Sequence, residues 1–224
     1  MADSAWAVHQ VHPNKAFIID LFPDLVENFK GWEARHWVKE MNMFWQTGHD
    51  DGMEFNINSR QTKDILRGDR AFRPSFNSYM WADATALARI SALNEDKELE
   101  KEYLAIAANL KKQIQEKLWD PKRNFFFPMS SREETDKEGN IVKAHTLTYQ
   151  SGKFAGNPHG RELHGYVPWA FNIPDPGFAV AWQYLMDPEY FYAPYGPRTT
   201  EVNDPLYVQR IVHLRGSGSI RGVE

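Results

Sequence analysis

Cysteine is absent from the 224 residues, which excludes disulfides and thiolate metal sites and leaves the redox compartment open. Long apolar runs are missing as well. None approaches the roughly 18 residues that a membrane-spanning helix needs, so no membrane partner is expected. No block of like charge stands out either: 26 basic and 30 acidic residues are spread along the chain, for a net charge of −4. Without a basic stripe to neutralise phosphates, a dedicated nucleic-acid binder is not expected. The opening MADSAWAVHQVHPNK lacks the basic start and continuous apolar stretch of a signal peptide. Localisation stays open, with the cytoplasm as the default. What is present is one domain's length of chain, enough to bury a substantial core. Aromatic residues are abundant, at 14% with eight tryptophans. Plain core packing is the simpler account of them, and a sugar cleft that stacks pyranose faces on indole is the other.

The first half reads as helical. Asn14, after Pro13, is a plausible N-cap. Phe17, Ile18, Leu21 and Phe22 share one face, and Pro23 is expected to open a second helix carrying Leu25, Phe29 and Trp32. The clearest helix is KELEKEYLAIAANLKKQIQEKLW, residues 97–119, with Leu99, Tyr103, Ile106, Leu110, Ile114 and Leu118 at spacings of three and four. SYMWADATALARISAL precedes it, with Tyr79, Ala82, Ala86, Ile90 and Leu93 on one side. The short NEDK linker makes the two an antiparallel hairpin. FFFPMSS and EETDKEGNIV suit a small β-excursion or a long connection, and a last helix is expected from about Pro176 to Leu185. Helical hairpins joined by long aromatic loops fit an array or toroid with its function on the loops.

Three loops mix aromatics, carboxylates and turn residues. QTGHDDGMEFNINSRQT (46–62) sets Asp50 and Asp51 between glycines, just after Phe44 and Trp45. GRELHGYVPWAFNIPDPG (160–177) brings Arg161, Glu162 and His164 beside Tyr166, Trp169 and Phe171. The third is APYGPRTTEVNDP (193–205). Asp-Asp-Gly is good turn sequence, so a solvated turn and a half-sheltered carboxylate are both open readings of the first loop.

The order QTGHDDGMEFNINSR, FNSYMWADATALARI, LWDPKRNFFF, GRELHGYVPWAF and LMDPEYFYAPYG, across most of residues 14–208, resembles the catalytic (α/α)6 toroid of inverting α-glycosidases. That group holds glycoside hydrolase family 63, the trehalases and the mannosylglycerate hydrolases. The resemblance implies a mostly all-α fold, an incomplete (α/α)6 toroid with a small β-excursion, acting on an oligosaccharide or small glycoside without a cofactor. The group's Gly-x-Asp turn corresponds to Gly48-His49-Asp50, so the resemblance places the general acid on Asp50. Such an acid must keep its proton near neutrality; Asp51 would help by like-charge repulsion, and Trp45 and Phe44 by desolvation, with Glu54 joining if the loop folds back.

Asp51 is expected to bond to loop backbone or Arg60. Asn77 and Tyr79 are candidates to bind sugar hydroxyls, and Asp83 is expected to be structural. Arg161 would orient a carboxylate or meet an acid group of the substrate, Trp169 would stack on a ring with Tyr166 also binding substrate, and Glu162 would pair with Arg161 or another loop arginine or act in catalysis. His164 lacks a partner at metal-ligand spacing, and His49 with Asp51 offers only two ligands in one turn, so no metal is expected. In the resembling enzymes the base is a glutamate lying beyond the last matched segment. The expectation is therefore a partial catalytic domain over 1–210 and a flexible, non-matching tail over 211–224. Its partner would be the missing part of the domain or a second copy, with Glu162 or Glu201 as a substitute base. A carbohydrate-binding or inactive hairpin fragment without catalysis is the alternative.

Overall fold

The computed structural model describes residues 1–53, 56–65 and 68–207. Glu54 and the expected tail at 211–224 lie outside them. Helices outweigh strands. Helix α1 (Ala2–Val11) is followed by α2 (Lys15–His36), and the Asn14 side chain accepts the Phe17 N–H at 3.0 Å to cap its start. Asn14→Ala should lower stability by about 1 kcal/mol, read as a drop in the thermal midpoint; an unchanged midpoint would show the cap to be idle. Pro23 does not open a new helix. It lies inside α2, which runs on through it. Ile18, Phe22, Leu25 and Phe29 are all buried on one face, and their burial outweighs the one backbone hydrogen bond that proline removes.

Strands β1 (Trp37–Val38) and β2 (Met43–Gln46) precede the short α3 (Ile57–Arg60), and β3 (Ala71–Phe72) leads into α4 (Pro74–Leu93). Helix α5 (Lys97–Lys117) folds back on α4 as the expected hairpin. Asp96 caps α5 by accepting the Leu99 N–H at 3.0 Å. Tyr103, Leu110 and Ile114 turn inward as their spacing requires. Next come β4 (Trp119–Asp120), β5 (Phe125–Phe126), β6 (Met129–Ser130), β7 (Glu134–Thr135) and β8 (Ile141–Val142). β7 and β8 form the anticipated excursion. A four-stranded antiparallel sheet in the order β1-β2-β3-β6 was not anticipated, because its strands are two to four residues long and β2, β3 and β6 are far apart in sequence.

Two hydrophobic cores result. One lies among α1, α2, α4 and α5, and includes Phe22, Phe29, Leu87, Ile90 and Leu110. The other gathers Phe72, Phe125, Phe126, Phe127, Tyr166 and Phe191 beneath the later loops. Most of the aromatic surplus is spent here, edge to face. After a 3-10 turn (Leu163–Tyr166) and α6 (Val167–Ala170), residues Pro176–Tyr184 form the expected last helix, wound as 3-10. Its tighter winding aims Phe178 at Trp119 and Phe126, and Trp182 at Tyr166. The N-terminus of α4 lies where the two cores meet the sheet.

Candidate functional site

The carboxylate turn begins where β2 ends. Met53 N–H donates to the Gly48 carbonyl at 2.7 Å and Gly52 N–H to that of His49 at 3.2 Å, closing residues 48–53 into a tight loop. Gly48 must be glycine: a Cβ there would lie 2.0 Å from Asn56 Nδ2 and 2.9 Å from the Met53 carbonyl. Gly52, at φ +67°, takes the left-handed conformation that ends the loop. The local sequence therefore builds a fixed turn with two adjacent carboxyls on it.

The two acids face different surroundings. Asp50 accepts the Thr47 hydroxyl at 2.6 Å, and its other oxygen lies 3.6 Å from His49 Nδ1; half of its side chain is open to solvent. Asp51 turns inward and accepts the Ser75 hydroxyl at 2.6 Å, so its partner is the first turn of α4 rather than loop backbone or Arg60. Tyr79, one helical turn on and 44% exposed, lies within reach of the Asp51 charge. Burial first, and that charge second, raise the Tyr79 phenol above its ordinary value. Arg60 extends to the Leu206 carbonyl at 3.3 Å.

Phe44 and Trp45, both expected to shelter Asp50, do not share a face. Alternation along β2 sends them to opposite faces. Phe44 enters the helical core against Phe29, Trp37 and Phe76, while Trp45 is flanked by the His36 ring and the Arg70 guanidinium, at 4.8 and 4.4 Å. Thr47 and Arg70 also line an open polar cavity of about 440 Å³, with Thr62, Lys63, Arg132 and Glu134. The cavity meets the carboxylate turn at Thr47; Asp50 and Asp51 do not line it.

Several expected contact residues have other duties. The Asn77 amide is fully buried and bridges the Phe44 N–H, the Phe44 carbonyl and the Arg73 carbonyl at 2.9–3.0 Å. It pins β2 to α4. Arg161 is enclosed and binds both Glu201 oxygens at 3.0 and 3.2 Å, donates to the Arg123 carbonyl at 2.8 Å, and covers the Tyr184 ring at 4.1 Å. Glu201 is fully buried and also accepts the Arg161 backbone N–H and faces His159 Nδ1, so it has no opening to a water. Tyr166 is buried with its hydroxyl on the Ala181 carbonyl, and Trp169 packs on Phe126, Tyr166 and Trp182. Asp83 accepts the Asp3 N–H and the Met1 amine, the structural role expected of it.

Glu162 does not pair with Arg161. Successive side chains leave the extended segment in opposite directions, so Glu162 points to the α3 side. There it accepts the Ile57 N–H at 2.9 Å and faces His164 Nε2 at 3.3 Å. It is buried.

Four residues of the site escaped sequence reasoning. Arg73, at the start of α4, is fully buried, and the charges of Asp51, Glu162, Asp69 and Asp50 all act on it. A lone cation inside AFRPSF was the available signal. Ser75 holds Asp51. Asp69 accepts Asn58 Nδ2 at 3.1 Å and the Ser130 hydroxyl, and burial pushes its carboxyl up to about 7. Asp204 accepts the Tyr149 hydroxyl at 3.1 Å, and burial pushes it up to about 6. Among the described residues, no group of three or more His, Cys, Asp or Glu side chains is placed to hold a metal ion.

A family model, the mannosylglycerate hydrolase MGH1-like glycoside hydrolase domain, matches residues 1–216. A solved structure of a protein named sialidase superposes with a TM-score of 0.73 at 30% sequence identity, covering 91% of this chain and 16% of that one. This chain thus spans a small part of that protein's length. No curated protein matches.

Proposed function

We propose that this chain, which belongs to the mannosylglycerate hydrolase MGH1-like glycoside hydrolase family, carries the general-acid half of an inverting α-glycosidase site, with Asp50 as the acid. Its hairpins form part of an (α/α)6 toroid, and the substrate is an α-linked glucoside or mannoside. The observation that carries the reading is the turn itself: within a glycoside hydrolase domain, a tight loop presents one half-open carboxyl, Asp50, hydrogen-bonded to Thr47, which lines a cavity of about 440 Å³. Asp51 is held back on α4.

The chemistry follows from that arrangement. Asp50 donates its proton to the glycosidic oxygen as the C1–O bond breaks, while a water attacks C1 from the opposite face and inverts it. The Thr47 hydroxyl and the His49 ring fix the direction of the carboxyl. The base that activates the water belongs about 6.5–9.5 Å from the acid. Glu201 and Glu162 are both enclosed and committed to other groups, so neither is proposed as the base.

Azide can stand in for the base and its water. With azide present, the chain should convert an α-linked disaccharide into the β-glycosyl azide, identified by NMR: the C1–N bond forms, C1–O breaks, and the departing oxygen takes the Asp50 proton. Asp50→Asn should slow this by about 10²–10⁴-fold and slow a 4-nitrophenyl α-glycoside far less, since nitrophenolate leaves without a proton. Loss of both rates in equal measure, or retention of both, would remove Asp50 from the role. The second reading, a carbohydrate-binding module, draws on the engagement of both Asp50 oxygens within its own turn. It would show as sugar binding by calorimetry, equal in wild type and Asp50→Asn, with no azide product.

A further inference from the structure

Arg73 has no task in the reaction as described, yet the fold surrounds it completely. It sits between Phe72 of β3 and Pro74 of α4, where an enclosed cation costs a great deal unless it is matched. Its Nε donates to the Gln46 carbonyl at 3.4 Å. Nη1 and Nη2 have no hydrogen-bond partner among the described residues.

Four carboxyls act on this one guanidinium. Asp51 acts most strongly, then Glu162, Asp69 and Asp50. They come from three separate parts of the chain: the 47–53 turn, the approach to β3, and the segment before the 163–166 turn. Burial works against the cation, and the acids work for it. Each acid has its own second contact. Ser75 and Tyr79 face Asp51, Thr47 and His49 face Asp50, His164 faces Glu162 with Asp204 nearby, and Asn58 and Ser130 hold Asp69. Gln46 is the last residue of β2, immediately before the turn. Arg73 therefore ties down the root of the turn by a hydrogen bond and draws on its inner carboxyl, Asp51, by charge.

Resting on the glycosidase reading above, we propose that Arg73 is a positioning residue for the acid step: its enclosed guanidinium, bonded to the end of β2, holds the Asp50–Asp51 turn in register with the start of α4. It touches no substrate. Its effect reaches the glycosidic oxygen through Asp50, whose placement within about 1 Å governs a rate factor of about 10².

The test compares two leaving groups in the azide assay. Arg73→Met should slow the disaccharide by about 10²-fold and the 4-nitrophenyl glycoside by much less, with Arg73→Lys recovering part of the difference because it keeps the charge. A packing role alone would lower both rates together, in step with the folded fraction, and Lys would not recover their ratio. Should Arg73→Met fail to fold, Ser75→Ala takes its place: it frees Asp51 while leaving Arg73, and should shift the same ratio by about tenfold. A folded Arg73→Met or Ser75→Ala with the wild-type ratio would overturn the proposal. If Asp50→Asn itself leaves the ratio unchanged, the glycosidase reading has failed instead, and the two failures are told apart.

Discussion

Wild-type protein should lose stability as pH rises from about 4 to about 7, and Asp69→Asn should remove about 4 kcal/mol of that loss. Burial raises the folded-state value of Asp69 from 3.8 to about 7, and each unit is worth about 1.4 kcal/mol. The sign follows from linkage. A carboxyl whose folded value lies above its unfolded value binds its proton more tightly in the native state. Its contribution is therefore complete below about pH 4 and disappears as pH climbs through about 7. The Ser130 hydroxyl and the Arg73 charge pull the value down, but less than burial pushes it up. Asp204, raised to about 6 by burial, adds about 3 kcal/mol of the same sign over a slightly lower range.

Urea denaturation at a series of pH values measures the slope directly. Asn is nearly isosteric with a protonated aspartate, and its oxygen can accept from Asn58 and Ser130. Asp69→Asn should therefore match wild type near about pH 4 and exceed it near about pH 8. A wild-type stability that rises between about pH 5 and about pH 7, or an Asp69→Asn variant with the wild-type slope, would contradict this account.

Glu201→Ala should cost about 3–5 kcal/mol, the penalty for leaving a buried partner charge uncompensated. Glu201 is fully enclosed, and its two oxygens take the Arg161 side chain, the Arg161 backbone N–H and the His159 ring. Removing it strands the Arg161 guanidinium beneath Tyr184 and Tyr190, with only the Pro158 and Arg123 carbonyls and the Tyr184 hydroxyl left to hold it. The double change Glu201→Leu with Arg161→Met removes both charges and should cost less than Glu201→Ala alone. Denaturation curves for the singles and the pair close the cycle. A single substitution that costs under about 1 kcal/mol would show that the pair contributes little to folding.

These results separate two kinds of legibility. Periodicity was enough for α5 and most of α4, because a buried stripe at spacings of three and four has only one packed solution. The Asn14 cap was readable from side-chain chemistry next to a proline. Pro23 misled, since a local breaker was outweighed by four buried apolar residues that only the packed helix brings together. The same limit applies to Asn77, which looked like a ligand for a sugar but serves the Phe44 backbone, while Arg161 orients a carboxylate, as one of its two expected roles had it, and only the fold shows that carboxylate to be Glu201. A polar side chain declares its hydrogen-bonding capacity in the sequence, not its partner.

Taken alone, the sequence determined that the chain is mostly helical, that α4 and α5 form a hairpin, and that the Gly48–Gly52 turn displays two adjacent carboxyls within a glycoside hydrolase family. Each of these depends on residues within about a helical turn or a short loop of one another. The tertiary structure decided which carboxyl faces solvent, that Glu162 turns away from Arg161, and that Arg73 lies among acids from three distant segments. Electrostatics and burial act across space, so the groups that set a side chain's charge and freedom are its neighbours in the fold rather than in the chain.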